Sequence, residues 1–219
     1  ETTRENGTDY IGFVAGKGEK LDPWIGEYAT FDLIDGLSIY ADASHRQGSS
    51  ALYPVELAPG MVTFEKTKVT SQRVHTFVVS GLRYSFERGD EIRLEYLHND
   101  SGYTKEQNTR ANDAVALSGM LDPIVIPAYF SPGLDFVGRD YAYVSVRVPD
   151  LGATHDWSVY ARYLLSLTDR SGTAFAMADW IASDNLMLFA LAMVSHGDDD
   201  LDLTRLARSA VFVGSRASW

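Results

Sequence analysis

The chain has 219 residues, a length that suits one domain spanning 1–219, with 45% apolar residues, 12% aromatic residues and no cysteine. That composition is too apolar for a disordered chain, and the missing thiols exclude a disulfide framework, a thiolate metal site and a cysteine nucleophile. The formal net charge of -11 argues against nucleic acid as a partner, because phosphate recognition needs clustered Lys and Arg; it suits a cation-preferring pore or cation binding outside.

No positive-then-apolar leader follows Glu1, as expected of a chain whose signal peptide is absent or already removed. No apolar run reaches the roughly 20 residues of a spanning helix; the nearest, 186–194 (LMLFALAMV), is too short. A membrane form of this chain is therefore a barrel, the one other fold that satisfies its backbone in lipid.

Ten segments carry strand character in chain order: 10–15, 25–34, 37–46, 74–86, 91–97, 141–148, 157–168, 173–182, 186–195 and 208–219. They are rich in Val, Ile, Tyr, Phe and Trp and bounded by Gly, Asp, Asn or Pro. Several approach ten residues, the length of a tilted spanning strand, whereas soluble strands average about five or six. Alternation is clear in 37–44, where Leu37, Ile39, Ala41 and Ala43 oppose Ser38, Tyr40, Asp42 and Ser44, and it recurs in the fourth, fifth and seventh segments. Segments 173–182 and 186–195 are apolar on both faces and rich in the helix formers Ala, Met and Leu. A helical hairpin around 183–185 competes there with two strands, which the lengths and flanking turns favour. Segment 1–8 has no strand character.

Connection lengths alternate. The even-numbered links are tight and hold turn residues such as Asp35-Gly36, whereas the two longest links, near 47–73 and 98–140, are both odd. Outer-membrane barrels have short periplasmic turns and long outer loops, which places both termini on the periplasmic side.

The final segment alternates Val211, Val213, Ser215 and Ala217 against Arg208, Phe212, Gly214, Arg216 and Ser218, and ends on Trp219. This resembles the C-terminal strand of Gram-negative outer-membrane proteins. The resemblance implies an assembly signal at Val211, Val213 and Trp219, residence in the outer membrane of a Gram-negative bacterium, contact with bilayer and lipopolysaccharide, and recognition by the barrel-assembly machinery. A partner subunit or homo-oligomer is a further expectation. Trp24, Tyr28, Tyr141, Tyr143, Trp157, Trp180 and Trp219 lie near segment ends, where membrane girdles belong; packing in a soluble core competes with that placement.

The expected fold is an all-β, antiparallel, up-and-down transmembrane barrel of about ten strands, complete or forming the C-terminal part of a larger one. Its candidate lumen-lining residues are Asp42, Arg46, Arg83, Glu87, Arg93, Glu95, Arg147, Arg162 and Arg216, with Asp179 in the wider inward set. Arg83, Arg93, Glu95, Arg147 and Arg162 come from successive strands and would ring a constriction, or form a closed network of ion pairs filling a narrow barrel.

Other constellations are weaker. His98-Asn99-Asp100-Ser101-Gly102 has the residue types of outer-membrane phospholipases without their spacing, and a polar loop opening explains it better. His155-Asp156 resembles the His–Asp pairs of omptins but falls on the periplasmic side. The acidic run 197–202 lacks the EF-hand spacing, and Gly16-Lys17-Gly18 lacks Walker spacing. No catalytic residue, metal or cofactor is expected. The apolar run 121–129 (LDPIVIPAY) either enters the barrel as a plug or packs over its mouth, and Tyr53-Pro54 carries the same two readings. The sequence predicts a porin-like channel for small polar or charged solutes. The alternatives are a non-conducting anchor, adhesin or scaffold, a soluble carbohydrate-binding module, and, last, an outer-membrane hydrolase.

Overall fold

The alternating β-branched and aromatic segments pair with their sequence neighbours into one large sheet. The computed structural model describes residues 2–3, 9–17, 23–66, 73–118, 125–134, 136–154, 156–198, 203–204 and 208–217. Its strands are β1 Thr2–Thr3, β2 Tyr10–Gly16, β3 Trp24–Ile34, β4 Leu37–Gln47, β5 Tyr53–Ala58, β6 Met61–Glu65, β7 Val74–Ser85, β8 Glu91–Asn99, β9 Asp140–Leu151, β10 Trp157–Ser166, β11 Gly172–Ser183, β12 Leu186–His196 and β13 Ser209–Ala217. Two helices, α1 Lys105–Ser118 and α2 Val125–Phe130, lie between β8 and β9.

Eleven strands form the sheet in the order β1-β2-β3-β4-β7-β8-β9-β10-β11-β12-β13, and each neighbouring pair is antiparallel. The all-β class and the up-and-down order are as expected. Closure is not observed: among the described residues no pairing joins β13 to β1 or β2. Segment 173–195 is a strand pair, β11 and β12, not a helical hairpin. Pairing to β10 and β13 on its two sides overrides the helical preference of Ala, Met and Leu. Segment 1–8 was expected to hold no strand, yet Thr2 and Thr3 pair with Ile11 and Tyr10.

At one end of the sheet, the inner end, the long strands are joined by tight turns, and the opposite, outer end carries the long links. Asp35-Gly36 makes the β3–β4 turn, with Gly36 at φ 78°, a left-handed conformation that glycine adopts without a side-chain penalty. The Gly36 carbonyl accepts a 2.7 Å bond from the Ser85 amide, tying this turn to β7. Register shifts occur at Asp32/Ile34, Trp157/Val159 and Ile181/Ser183, all at inner ends.

The outer links at β4–β7 and β8–β9 fold together into a cap. The β5–β6 hairpin packs with α1 and α2 around Ala51, Tyr53, Phe64, Tyr103, Ala111 and Tyr129. Helix α1 starts in a capping box: Gln107 N–H donates to Thr104 Oγ1 (3.2 Å), and Thr104 N–H donates to Gln107 Oε1 (2.8 Å). Buried Asn108 donates to Asp169 (3.2 Å), linking α1 to the β10–β11 connection. The described part of 121–129 buries Val125, Ala128 and Tyr129 in this cap core; 121–124 lie outside the described residues. Tyr53 is also buried in the cap core, and its hydroxyl donates to the Ser101 carbonyl at 2.7 Å.

Burial pushes the Tyr53 phenol above its ordinary value. A raised folded-state value stabilises the neutral, folded cap below the usual tyrosine range near about 10. That contribution fades as pH rises through the folded value, because the unfolded chain ionises first. The near-UV circular dichroism of the cap is expected to decline above pH ~10, with a shallower decline in Tyr53→Phe. Identical profiles for the two proteins would contradict this coupling.

Candidate functional site

Directly paired residues of an antiparallel sheet share a face. The register therefore assigns every strand residue to one of two faces. One face carries Asp42, Arg46, Arg83, Arg93, Glu95, Arg147, Arg162, Asp179 and Arg216 together. Glu87 is the exception: β7 ends at Ser85, and Glu87 lies in the inner turn, beside the Arg88–Asp90 ion pair (2.6 Å).

The arginines are not scattered. Ser38, Arg83, Arg93, Ser145, Arg162 and Phe175 form one continuous cross-strand ladder from β4 to β11. The next ladder inward runs Glu91, Arg147, Tyr160; the next outward runs Tyr40, Gly81, Glu95, Tyr143. Arg83 and Arg93 stand directly opposite each other, an arrangement that costs stability in an ordinary sheet. They are drawn to different partners: Arg83 Nε donates to Ser38 Oγ (3.2 Å), and Arg93 Nε pairs with Glu91 Oε1 (2.5 Å). The Arg162 guanidinium lies 4.4 Å from the Phe175 ring centroid, a cation–π contact. Tyr40 donates its hydroxyl to Glu95, and the Tyr143 and Tyr160 hydroxyls meet at 2.7 Å.

A closed network of ion pairs is not formed by the nominated residues. Among the described residues, Arg93–Glu91 is the one ion pair that involves any of them; Arg46, Arg83, Arg147, Arg162 and Arg216 have no carboxylate partner. The face changes character at β11–β13, where Phe175, Met177, Phe189, Leu191, Met193 and Phe212 replace polar groups.

The opposite face is mostly apolar and open, and its exceptions include Glu27 and His45, which pair at 3.7 Å toward the outer end of β3 and β4, and Ser80. Phe13, Ile25, Leu82, Leu94, Val194, Val211 and Val213 point from it with large exposed areas, reaching 78% for Val213. Aromatic groups mark both of its ends. At the inner end Trp157 and Trp180 stack at 5.5 Å with 7° between planes, and Tyr84 meets Phe86 edge-on at 4.7 Å. At the outer end Tyr163 bonds His196 (2.5 Å), while Tyr96 and His98 share Asp140 (2.5 and 2.8 Å). Four of the expected girdle residues are not on this face. Trp24, Tyr28, Tyr141 and Tyr143 belong to the charged face, where their rings fill space beside glycine, serine and other aromatic side chains. Tyr84, Tyr96 and Tyr163 take the end positions instead, and strict period-two counting along β7, β8 and β10 is the signal that identifies them.

Val211 and Val213 of the C-terminal pattern lie on the apolar face; Trp219 lies outside the described residues. His98 is bonded to Asp140, and among the described residues no hydrogen bond joins it to Ser101. His155 and 199–202 also lie outside the described residues. Among those described, no cluster of three or more metal-ligating side chains occurs.

Gly81 fits beneath the Tyr40 ring. A Cβ there would lie 2.8 Å from both that ring and the Leu94 carbonyl oxygen. Gly81→Ala is expected to displace Tyr40 from Glu95 and destabilise the sheet by about 1–3 kcal/mol, read as a lower urea midpoint. An unchanged midpoint would rule out this packing. Comparisons with protein families, curated proteins and solved structures give no match to this chain, and the geometry alone carries the functional reading.

Proposed function

We propose that the chain forms an outer-membrane β-barrel whose charged face lines a porin-like channel for small polar or charged solutes. The observation that carries this reading is the uncovered apolar face extending across ten long strands. At about 4.8 Å per strand such a face is about 45 Å wide; with a height of roughly 20 Å it covers about 900 Å², beyond the few hundred Å² of apolar patch that a soluble monomer exposes. Lipid is the solvent that removes this cost. Trp180 and Gly172, the partner of His196, are eight residues apart, about 26 Å of strand at ~3.3 Å per residue. A tilt near 40° reduces that to roughly 20 Å, close to the apolar band of an outer-membrane barrel.

Strand direction is compatible with closure. β2 runs outward and β13 runs inward, so a pair between β13 and the part of β2 beyond Ile11 would be antiparallel, as in a barrel of ten long strands; the two-residue β1, which pairs with Tyr10 and Ile11, would stand outside that barrel. Among the described residues the sheet ends at β13 and at β1, which covers only Tyr10 and Ile11 of β2, and closure would satisfy the backbone groups of β13 and of β2 from Gly12 onward. The long outer and short inner connections fit the same orientation, with the cap outside. The arginine ladder, short of carboxylate partners, then faces the lumen, where it would set ion preference.

One observation favours a second reading. The Phe, Met and Leu side chains of β11–β13 on the charged face are suited to filling a lumen or packing on a partner subunit, as in a non-conducting anchor or scaffold. Planar-bilayer recording separates the two. A channel gives steady, salt-dependent steps, and the triple replacement of Arg83, Arg93 and Arg162 by Ala shifts its selectivity toward cations. Unaltered selectivity would remove these arginines from the lumen. Silence from a chain with heat-modifiable gel mobility would support the filled barrel, and absence of heat-modifiable mobility would count against a barrel altogether.

A further inference from the structure

Where β4, β7 and β8 run up beneath the cap, a cavity of about 280 Å³ opens on the charged face. Arg46, Ser44, His75 and Phe77 reach it from the strands, and Ser50 and Ser101 roof it from the cap. At ~30 Å³ per water it has the volume of about nine waters, and because bonded atoms pack closer than separate waters, that space suits a small sugar or polyol.

Its charge is unbalanced. The direct cross-strand neighbours of Arg46 are Trp24 and His75, and its diagonal neighbours on that face include Gly26 and Phe77; none is a carboxylate. Asp100, which faces the cavity residue His75 (3.8 Å), is engaged by Arg73 (3.0 Å). Arg46 therefore brings a guanidinium to the cavity with no ion pair among the described residues. The hydroxyls of Ser44, Ser50 and Ser101 make no hydrogen bond among the described residues, so each has a donor and an acceptor to offer. Phe77, which stacks on Phe136 at 6.0 Å, adds an apolar surface suited to C–H groups.

We propose that this cavity binds a small hydroxylated anion, a polyol or sugar bearing a carboxylate or phosphate. Arg46 holds the oxyanion in a charge-assisted pair, Ser44, Ser50 and Ser101 meet the hydroxyls, and Phe77 covers the carbon skeleton. The proposal does not rest on the channel reading, because strand ends and cap form the cavity whether or not the sheet closes.

Titration calorimetry on the full chain, folded in detergent, tests it with gluconate, glucose 6-phosphate and neutral glucose. At least one of the two anions is expected to bind, with glucose at least about tenfold weaker. Binding of gluconate alone assigns the carboxylate, of glucose 6-phosphate alone the phosphate, and of both the shared oxyanion. Arg46→Ala is expected to weaken binding at least about tenfold, Ser50→Phe to block it by filling the roof, and Arg88→Ala, in an inner turn, to leave it unchanged. The proposal is overturned if neither anion binds, if glucose binds as well as they do, or if both Arg46→Ala and Ser50→Phe bind like the unaltered chain.

Discussion

Register is the constraint on which the large sheet depends. Because the side-chain period of a strand is two, a slip of one residue at any pair would carry that strand's apolar set to the other face. The pairing avoids this from β2 through β13, and its irregularities are confined to the inner strand ends. In-phase pairing is what gathers side chains far apart in sequence, such as Arg83 and Arg162, onto one ladder. It also gathers the valines and leucines onto a single uncovered surface.

That division has an energetic asymmetry. Among the described residues the buried hydrophobic cluster lies in the cap rather than against the apolar face, which stays largely exposed. What stabilises the sheet internally is its hydrogen-bond ladder, together with aromatic rings set beside glycines on the charged face. An opposed Arg83–Arg93 pair is a cost within such a ladder, and sequences accept local costs of this kind mainly at functional positions. Among the described residues Arg83 and Arg162 have no carboxylate partner, which makes the same point from the side of charge.

Much of this was legible in the sequence because strand periodicity is local. The long strands follow from β-rich composition, turn residues and, in several, alternation, with ends displaced by a few residues at most. The charged set except Glu87 follows from counting by two. Three features were not legible. The β5–β6 hairpin and the two helices lie in long loops whose short elements have no extended pattern, and α1 has little apolar periodicity to reveal it. The 173–195 ambiguity was settled by pairing partners, which propensity does not encode. The face of each aromatic is not given by its nearness to a segment end, and Trp24, Tyr28, Tyr141 and Tyr143 share the charged face. Tyr141 and Tyr143 are one residue out of phase with Ala142 and Val144, and that single step moves them from the apolar to the charged face.

The cap also shapes the order in which the molecule can assemble. Most strand pairs join neighbours through short turns, so they close quickly and at small entropic cost. The β4–β7 and β8–β9 pairs must instead close over residues 48–73 and 100–139. A hairpin and a capped helix that fold within those loops bring their ends closer before the strands meet, shortening the effective search. The inserted elements therefore act as local splints: two otherwise slow closures become steps that follow the folding of the cap, and the four strands on either side wait on it.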